Sequence, residues 1–212
     1  MYPTQVRSER IADGFVHALG VIFALVGAVM LMMRASGTAS PAELAGIAVY
    51  GATLITTFVA SAAYHLTPWH NLRPVLRRCD HAAIYLKIAG TYTPLVVLIG
   101  SGFAYLVLGV VWALAVIGVV LKLFFWRVPG RFGPALYLIM GWLSLALIWS
   151  LWPLVPLSTM VLIAVGGLLY TAGVPFYAAT RLRYSTAIWH GFVVVASACF
   201  FIAIATGVVA QI

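Results

Sequence analysis

The sequence predicts an all-α integral membrane protein, a bundle of seven transmembrane helices forming a single domain over residues 1–212. Apolar residues make up 64% of the chain and charged residues only 8%, whereas a water-soluble domain carries roughly 25% charged residues to cover its surface. Seven apolar runs each approach the ~20 residues that a helix needs to cross the hydrocarbon core. The breaks between them are short and carry turn chemistry. At this length in lipid, only helices satisfy their own backbone hydrogen bonds, so the runs imply a helical bundle.

Taken in order, the first run lies near 15–33 and follows Arg7 and Arg10. That opening resembles a secretory signal, but the apolar core is too long and six more runs follow. The second run, near 44–66, is separated from the third, near 81–100, by a basic loop with Arg73, Arg77 and Arg78. The third ends at Gly100-Ser101-Gly102, and the fourth occupies about 103–125, with Lys122 near its end. Arg127 and Arg131 lead into the fifth, near 134–152, which Pro153-Leu154-Val155-Pro156 closes. The sixth, near 157–178, and the seventh, near 187–209, are joined by a stretch holding Arg181 and Arg183. Cys79 and Cys199 fall at one membrane face and inside the seventh run, so no disulfide framework is expected.

The net charge of +8 is distributed as an orientation signal and not as a nucleic-acid-binding surface. Basic residues fill alternate loops, while the other loops hold only Arg34 and Glu43. By the positive-inside rule the N-terminus is cytoplasmic and the C-terminus lies outside, in a multi-pass protein of the inner (plasma) membrane.

This orientation gathers the polar groups at one end. Asp13 and His17 enter the first span from the cytoplasm, and Ser61 and His65 close the second there. Asp80 and His81 open the third, and Thr186 and His190 open the seventh. Asp13/His17, Ser61/His65 and Thr186/His190 are each four residues apart, so each pair shares a helix face. A polar face turned to lipid is expensive, so these faces are expected to point into the bundle. Imidazole and carboxylate from separate helices form a ligand set that suits zinc, and His65, His190 and Asp80 are the leading metal-ligand candidates. An open fourth position would hold a water whose pKa falls to roughly 7.

Plainer readings exist for each residue. Asp80 can pair with Arg77, Arg78 or His81 at a helix start. Asp13 can cap the first helix or pair with Arg10, and Glu9 can line the cytoplasmic entrance or balance Arg7 and Arg10. His70, beside Pro68 and Trp69, reads as interfacial. Lys87 falls seven residues after Asp80, two turns deeper on about the same face, and fits an ion pair or a water-filled cavity. A retinal-type Schiff base is disfavoured, because the seventh span contains no lysine.

Three motifs carry a family resemblance. Glu9-Arg-Ile-Ala-Asp13-Gly-Phe-Val-His17-Ala-Leu-Gly20, Ser61-Ala-Ala-Tyr-His65, and Asp80-His-Ala-Ala-Ile-Tyr followed by Ala89-Gly-Thr-Tyr-Thr-Pro94 resemble those of the hemolysin III-related proteins. These form the bacterial branch of the progestin and adipoQ receptors, which include the adiponectin receptors. The resemblance implies a seven-helix bundle with a cytoplasmic N-terminus and zinc near that side. It further implies that His65 is a zinc ligand beside Ser61, and that Asp80 acts through bound water. The family typically shows two ligand histidines four residues apart in the last span; here the first is Thr186 and the second His190. Asp13 stands where the family usually has asparagine.

A hydroxyl is a poor zinc ligand compared with imidazole. Direct binding by Asp80, a nitrogen from His17 or His81, the new carboxylate at Asp13, or loss of the metal are the alternatives that Thr186 leaves open. The expected function is a zinc-dependent, ceramidase-like membrane hydrolase of a lipid amide or ester at the cytoplasmic side, linked to membrane lipid homeostasis. Asp80 would orient or deprotonate water, and Ser61 would steady the metal ligands or the developing oxyanion. The alternative is a non-enzymatic sensor or regulator with a structural or vestigial metal site, read by a protein partner on the cytoplasmic face. A pore is a third reading, opposed by the confinement of polar groups to one end.

Overall fold

The computed structural model describes residues 6–125, 132–179 and 181–211. Among these there is no strand, and helices account for nearly all of them. The order is α1 (Arg7–Ala35), α2 (Pro41–Leu66), α3 (Arg73–Ile99), α4 (Gly102–Phe124), α5 (Phe132–Trp142), a 3-10 segment (Leu143–Leu147), α6 (Ile148–Leu151), α7 (Leu157–Ala178) and α8 (Ser185–Gly207), with a short 3-10 turn at Val209–Gln211. Six of these, α1 to α4, α7 and α8, are long and apolar enough to cross a membrane. They correspond to six of the expected runs. Arg127 and Arg131, counted above as orientation signals, lie outside the described residues.

The fifth run is a composite. Helix α5 gives way to 3-10 geometry and then to the single turn of α6. The three pieces together reach roughly 30 Å, about the thickness of the hydrocarbon core. The Tyr92 hydroxyl of α3 donates to the Met140 and Gly141 carbonyls at 2.7 and 2.9 Å, next to the change in helix type.

Local chemistry sets the ends. Ser40 and Glu43 form a reciprocal capping box before α2, with Pro41 at its first position. Gly100 adopts a left-handed conformation with φ +66° and ends α3 as its C-cap, returning its N–H to the Val96 carbonyl. Ser101 then caps α4. Helix α3 starts eight residues before its apolar run, at Arg73 with Pro74 in its first turn, so the basic segment Arg73, Arg77 and Arg78 is helical.

Neighbouring helices in sequence pack side by side: α1 on α2, α2 on α3, α3 on α4, and α7 on α8. Helix α8 returns to α1, and α5 touches α3, α4 and α7. One apolar core joins α1, α2 and α8 through Leu31, Tyr50, Leu54, Phe58 and Ile204. A second joins α3, α4 and α5 through Tyr85, Tyr92, Val96, Val111 and Met140. The outer faces expose large apolar side chains, including Phe15, Ile22, Met33, Leu106 and Trp149. Asp13, His17, Asp80, Lys87 and His190 are instead buried. Apolar outside and ionisable inside is the arrangement expected for a bundle in lipid, and between the helices lies a cavity of about 1620 Å³.

Candidate metal centre

The starts of α1 and α8 and the end of α2 meet at the basic end of the bundle. Asp13 and His17 lie in the second and third turns of α1, His190 in the second turn of α8, and His65 in the last turn of α2. Their ligand-type atoms all lie within 4.8 Å of one another. Asp13 is the hub and is only 3% exposed. Its Oδ1 accepts from His190 Nδ1 at 2.8 Å, its Oδ2 lies 3.2 Å from His65 Nδ1, and His17 Nδ1 is 3.5 Å from Oδ1. The three imidazoles crowd around it with ring centroids 4.2 to 4.8 Å apart.

The tautomer of His17 follows from its partners. Its Nδ1 donates to the Asp13 backbone carbonyl at 2.8 Å, four residues back on α1. Its Nε2 therefore carries the lone pair, which accepts the Ser61 hydroxyl at 3.2 Å. Ser61 thus steadies His17 from α2, one turn before His65.

Asp80 stands just behind the group. Its Oδ2 is 4.0 Å from His65 Nε2 and 3.6 Å from His81 Nδ1. The imidazole of His81 turns elsewhere: Nδ1 donates to the Arg77 carbonyl at 2.8 Å, and Nε2 accepts from the Tyr177 hydroxyl at 3.2 Å. Tyr137 donates to the His81 backbone carbonyl at 2.9 Å. Thr186 is half-buried one turn before His190 and lines the cavity without joining the four-residue group. His70 is exposed in the loop before α3. The fold therefore brings together His65 and His190 with Asp13 and His17, and sets Asp80 beside them and His81 apart. Tyr137 and Tyr177, which fix His81, carry no mark in the sequence, because tyrosines near a membrane boundary read as interface anchors.

The donor set fits a metal. Three imidazoles and one carboxylate converge, and a tetrahedral zinc with bonds of about 2.0–2.1 Å spaces its ligand atoms roughly 3.4 Å apart. The observed separations, from 2.8 Å up to 4.8 Å, span that value. These four residues form a potential metal-binding site. Three of them, His17, His65 and His190, form part of the wall of the large cavity, together with Ser61 and Asp80.

Comparison with known proteins agrees with the motifs. Residues 5–201 match the haemolysin-III related family. The chain belongs to that family. As a haemolysin III-related protein it is 32% identical over 199 residues to hemolysin-3 of Bacillus cereus, covering 93% of this chain and 91% of that one. It is 33% identical over 196 residues to the hemolysin-3 homolog of Bacillus subtilis (strain 168), covering 91% of each. The human monocyte to macrophage differentiation factor is 30% identical over 206 residues, covering 92% of this chain and 83% of its own. The likeness to both kinds of protein places this haemolysin III-related chain in the bacterial branch of the progestin and adipoQ receptor family, as a multi-pass membrane protein.

Proposed function

We propose that this protein is a zinc-dependent hydrolase of a lipid amide or ester, working at the cytoplasmic side of the inner membrane and serving membrane lipid homeostasis. One observation carries the reading: a group of three histidines and one carboxylate, buried but for the half-buried His65, presents its imidazoles to a large, mainly apolar cavity inside a membrane bundle. Such a cavity suits an acyl chain, and a polar group at its mouth suits the linkage between head and chain. The basic end, with Arg77, Arg181 and Arg183 at the cavity wall, is taken as cytoplasmic. The composite α5–α6 segment is taken as the seventh crossing, which puts the C-terminus outside.

Asp13, His65 and His190 would hold the metal, with the Asp13 carboxylate supplying the strong ligand that Thr186 does not. Zinc bound there supplies Lewis-acid polarisation of a carbonyl and acidification of water. Asp80, whose Oδ2 is 4.0 Å from His65 Nε2, would take the proton of an attacking water. Ser61 holds His17 through the 3.2 Å hydrogen bond and keeps that imidazole from swinging into the cavity.

His17 also supports a second reading. If its Nε2 leaves Ser61 and becomes a fourth protein ligand, the site closes as structural zinc sites do. The protein would then be a regulator whose metal pins α1, α2 and α8 together, with its partner on the cytoplasmic face. The pore suggested by the relatives' names has less support, because the buried ionisable groups gather toward one end of the bundle.

Metal content and fatty-acid release are measured together on detergent-purified protein, with N-acyl and O-acyl lipids in vesicles as substrates. The hydrolase reading expects about one zinc per chain and release by the wild type, both lost in His65→Ala/His190→Ala. Bound metal without release of any acid would sink the hydrolase reading and favour the regulator.

A further inference from the structure

Lys87 is a buried amine with no counter-charge among the described residues. It lies at the middle of α3, seven residues beyond Asp80 and therefore roughly 10 Å further along the helix, and it is 6% exposed. The chain contains only four acidic residues, and each is engaged elsewhere. Asp13 contacts His190, His65 and His17, and Asp80 faces His65 and His81. Glu43 caps α2, and Glu9 accepts the backbone N–H groups of Val6 and Tyr184. What holds Lys87 is neutral: Nζ donates to Ser197 Oγ at 2.5 Å and lies 4.9 Å and 5.1 Å from the ring centres of Phe58 and Tyr170.

That setting is specific about direction. Ser197 is fixed by its own bond to the Val193 carbonyl and by the Tyr170 hydroxyl at 2.9 Å, so it anchors one of the three amine donors. The two aromatic faces favour a cation but satisfy no N–H as an oxygen would. Lys87 is also part of the cavity wall. Beyond Lys87 along α3, that wall is mainly apolar, with Leu95, Ile99, Leu147, Leu151 and Met160, and Thr91 and Ser144 add hydroxyls to it. Ionisable groups at membrane depth ordinarily pair with one another or mark a substrate path; Lys87 has no acid to pair with and a ligand-sized space in front of it.

We propose that Lys87 is the head-group subsite for a long-chain carboxylate, with the acyl tail lying along the apolar end of the cavity toward Leu95, Leu151 and Met160. A carboxylate supplies one negative charge and acceptor oxygens for the remaining N–H groups. A phosphate monoester, at about −1.5 to −2 near neutral pH, would leave charge unbalanced beside one amine. The subsite is separate from the metal group and does not depend on the hydrolase reading.

The test is binding of radiolabelled palmitate to the detergent-purified full chain, with unlabelled palmitate, hexadecanol and hexadecyl phosphate as competitors. Palmitate should outcompete hexadecanol by on the order of ten- to a hundredfold, the range of a charge-assisted hydrogen bond. Lys87→Met should remove that preference while leaving hexadecanol binding and metal content unchanged, and Lys87→Gln provides the same readout should the methionine variant fail to fold. The His65→Ala/His190→Ala protein should keep the preference. The assignment is overturned if palmitate and hexadecanol compete equally in wild type, or if Lys87→Gln retains the preference. It is also overturned if the double histidine variant loses the preference, which would put the carboxylate on the metal group. Stronger competition by hexadecyl phosphate than by palmitate would replace the carboxylate with a phosphate head group.

Discussion

Asp13→Asn is the most informative single change, because it restores the residue expected of relatives and removes the one charge within the four-residue group. The substitution preserves shape but turns one carboxylate oxygen into an NH2, which neither accepts a hydrogen bond nor binds a metal. In the present structure the carboxylate contacts His190 at 2.8 Å, His65 at 3.2 Å and His17 at 3.5 Å, from a side chain that is almost wholly buried. A hydrogen bond to a charged group is worth about 1.5–3 kcal/mol, and each 1.4 kcal/mol is about tenfold in a binding constant. Losing one such interaction predicts a roughly 10- to 100-fold weaker metal affinity. Loss of a direct anionic ligand should put the effect at the upper end or beyond. A competition titration against a zinc-sensitive dye in detergent reads the constant directly. The double variant Asp13→Asn/Thr186→His should recover affinity, since position 186 is one helical turn before His190 and faces the cavity. Unchanged zinc affinity in Asp13→Asn would refute the assignment of Asp13 as a ligand, and a double variant as weak as the single one would refute the exchange of carboxylate for imidazole.

Three further outcomes are expected. Tyr92→Phe removes the donor to the buried Met140 carbonyl and the part-buried Gly141 carbonyl; leaving a buried acceptor without its donor costs about 1–3 kcal/mol, read as a lower melting temperature in detergent with the metal content unaltered. Gly90→Val forces a side chain onto Thr53, whose hydroxyl a Cβ at position 90 would strike; an overpacked helix contact of this kind costs typically 1–3 kcal/mol, so thermal stability should drop, whereas Gly109→Ala, with open space around its Cβ position, should melt like the wild type. For topology, a single cysteine introduced at Gly37, in a Cys79→Ser/Cys199→Ser background, should react with a membrane-impermeant thiol reagent added to intact spheroplasts, and one at His70 only after lysis; the reverse pattern would invert the orientation inferred from charge.

The sequence and the tertiary structure contribute different parts of this account. Hydropathy alone located six long helices, because the ~20-residue requirement of the hydrocarbon core is a property of local composition that no packing partner can supply. The same logic explains why the ends differ: α3 extends back to Arg73, since a helix continues into water wherever its residues allow, and hydropathy registers only the part in lipid. The fifth run showed the limit in another way. Its composition is as apolar as the others, yet it changes from α to 3-10 geometry next to carbonyls that accept from Tyr92, 48 residues away from Met140.

At the site, four-residue spacing put Asp13 with His17, Ser61 with His65 and Thr186 with His190 on shared faces, and orientation made His65, His190 and Asp80 the leading ligand candidates. Spacing fixes which side chains of one helix travel together, because 3.6 residues make a turn. It says nothing about the rotation of one helix against another, and that rotation decides which candidates meet. Tertiary packing turned Asp13 inward as the hub of three imidazoles, kept Asp80 4.0 Å behind His65, and drew His81 toward Tyr177. It likewise left Lys87 facing a cavity with every acid of the chain engaged elsewhere, a fact about the whole set of contacts that no single stretch of sequence contains.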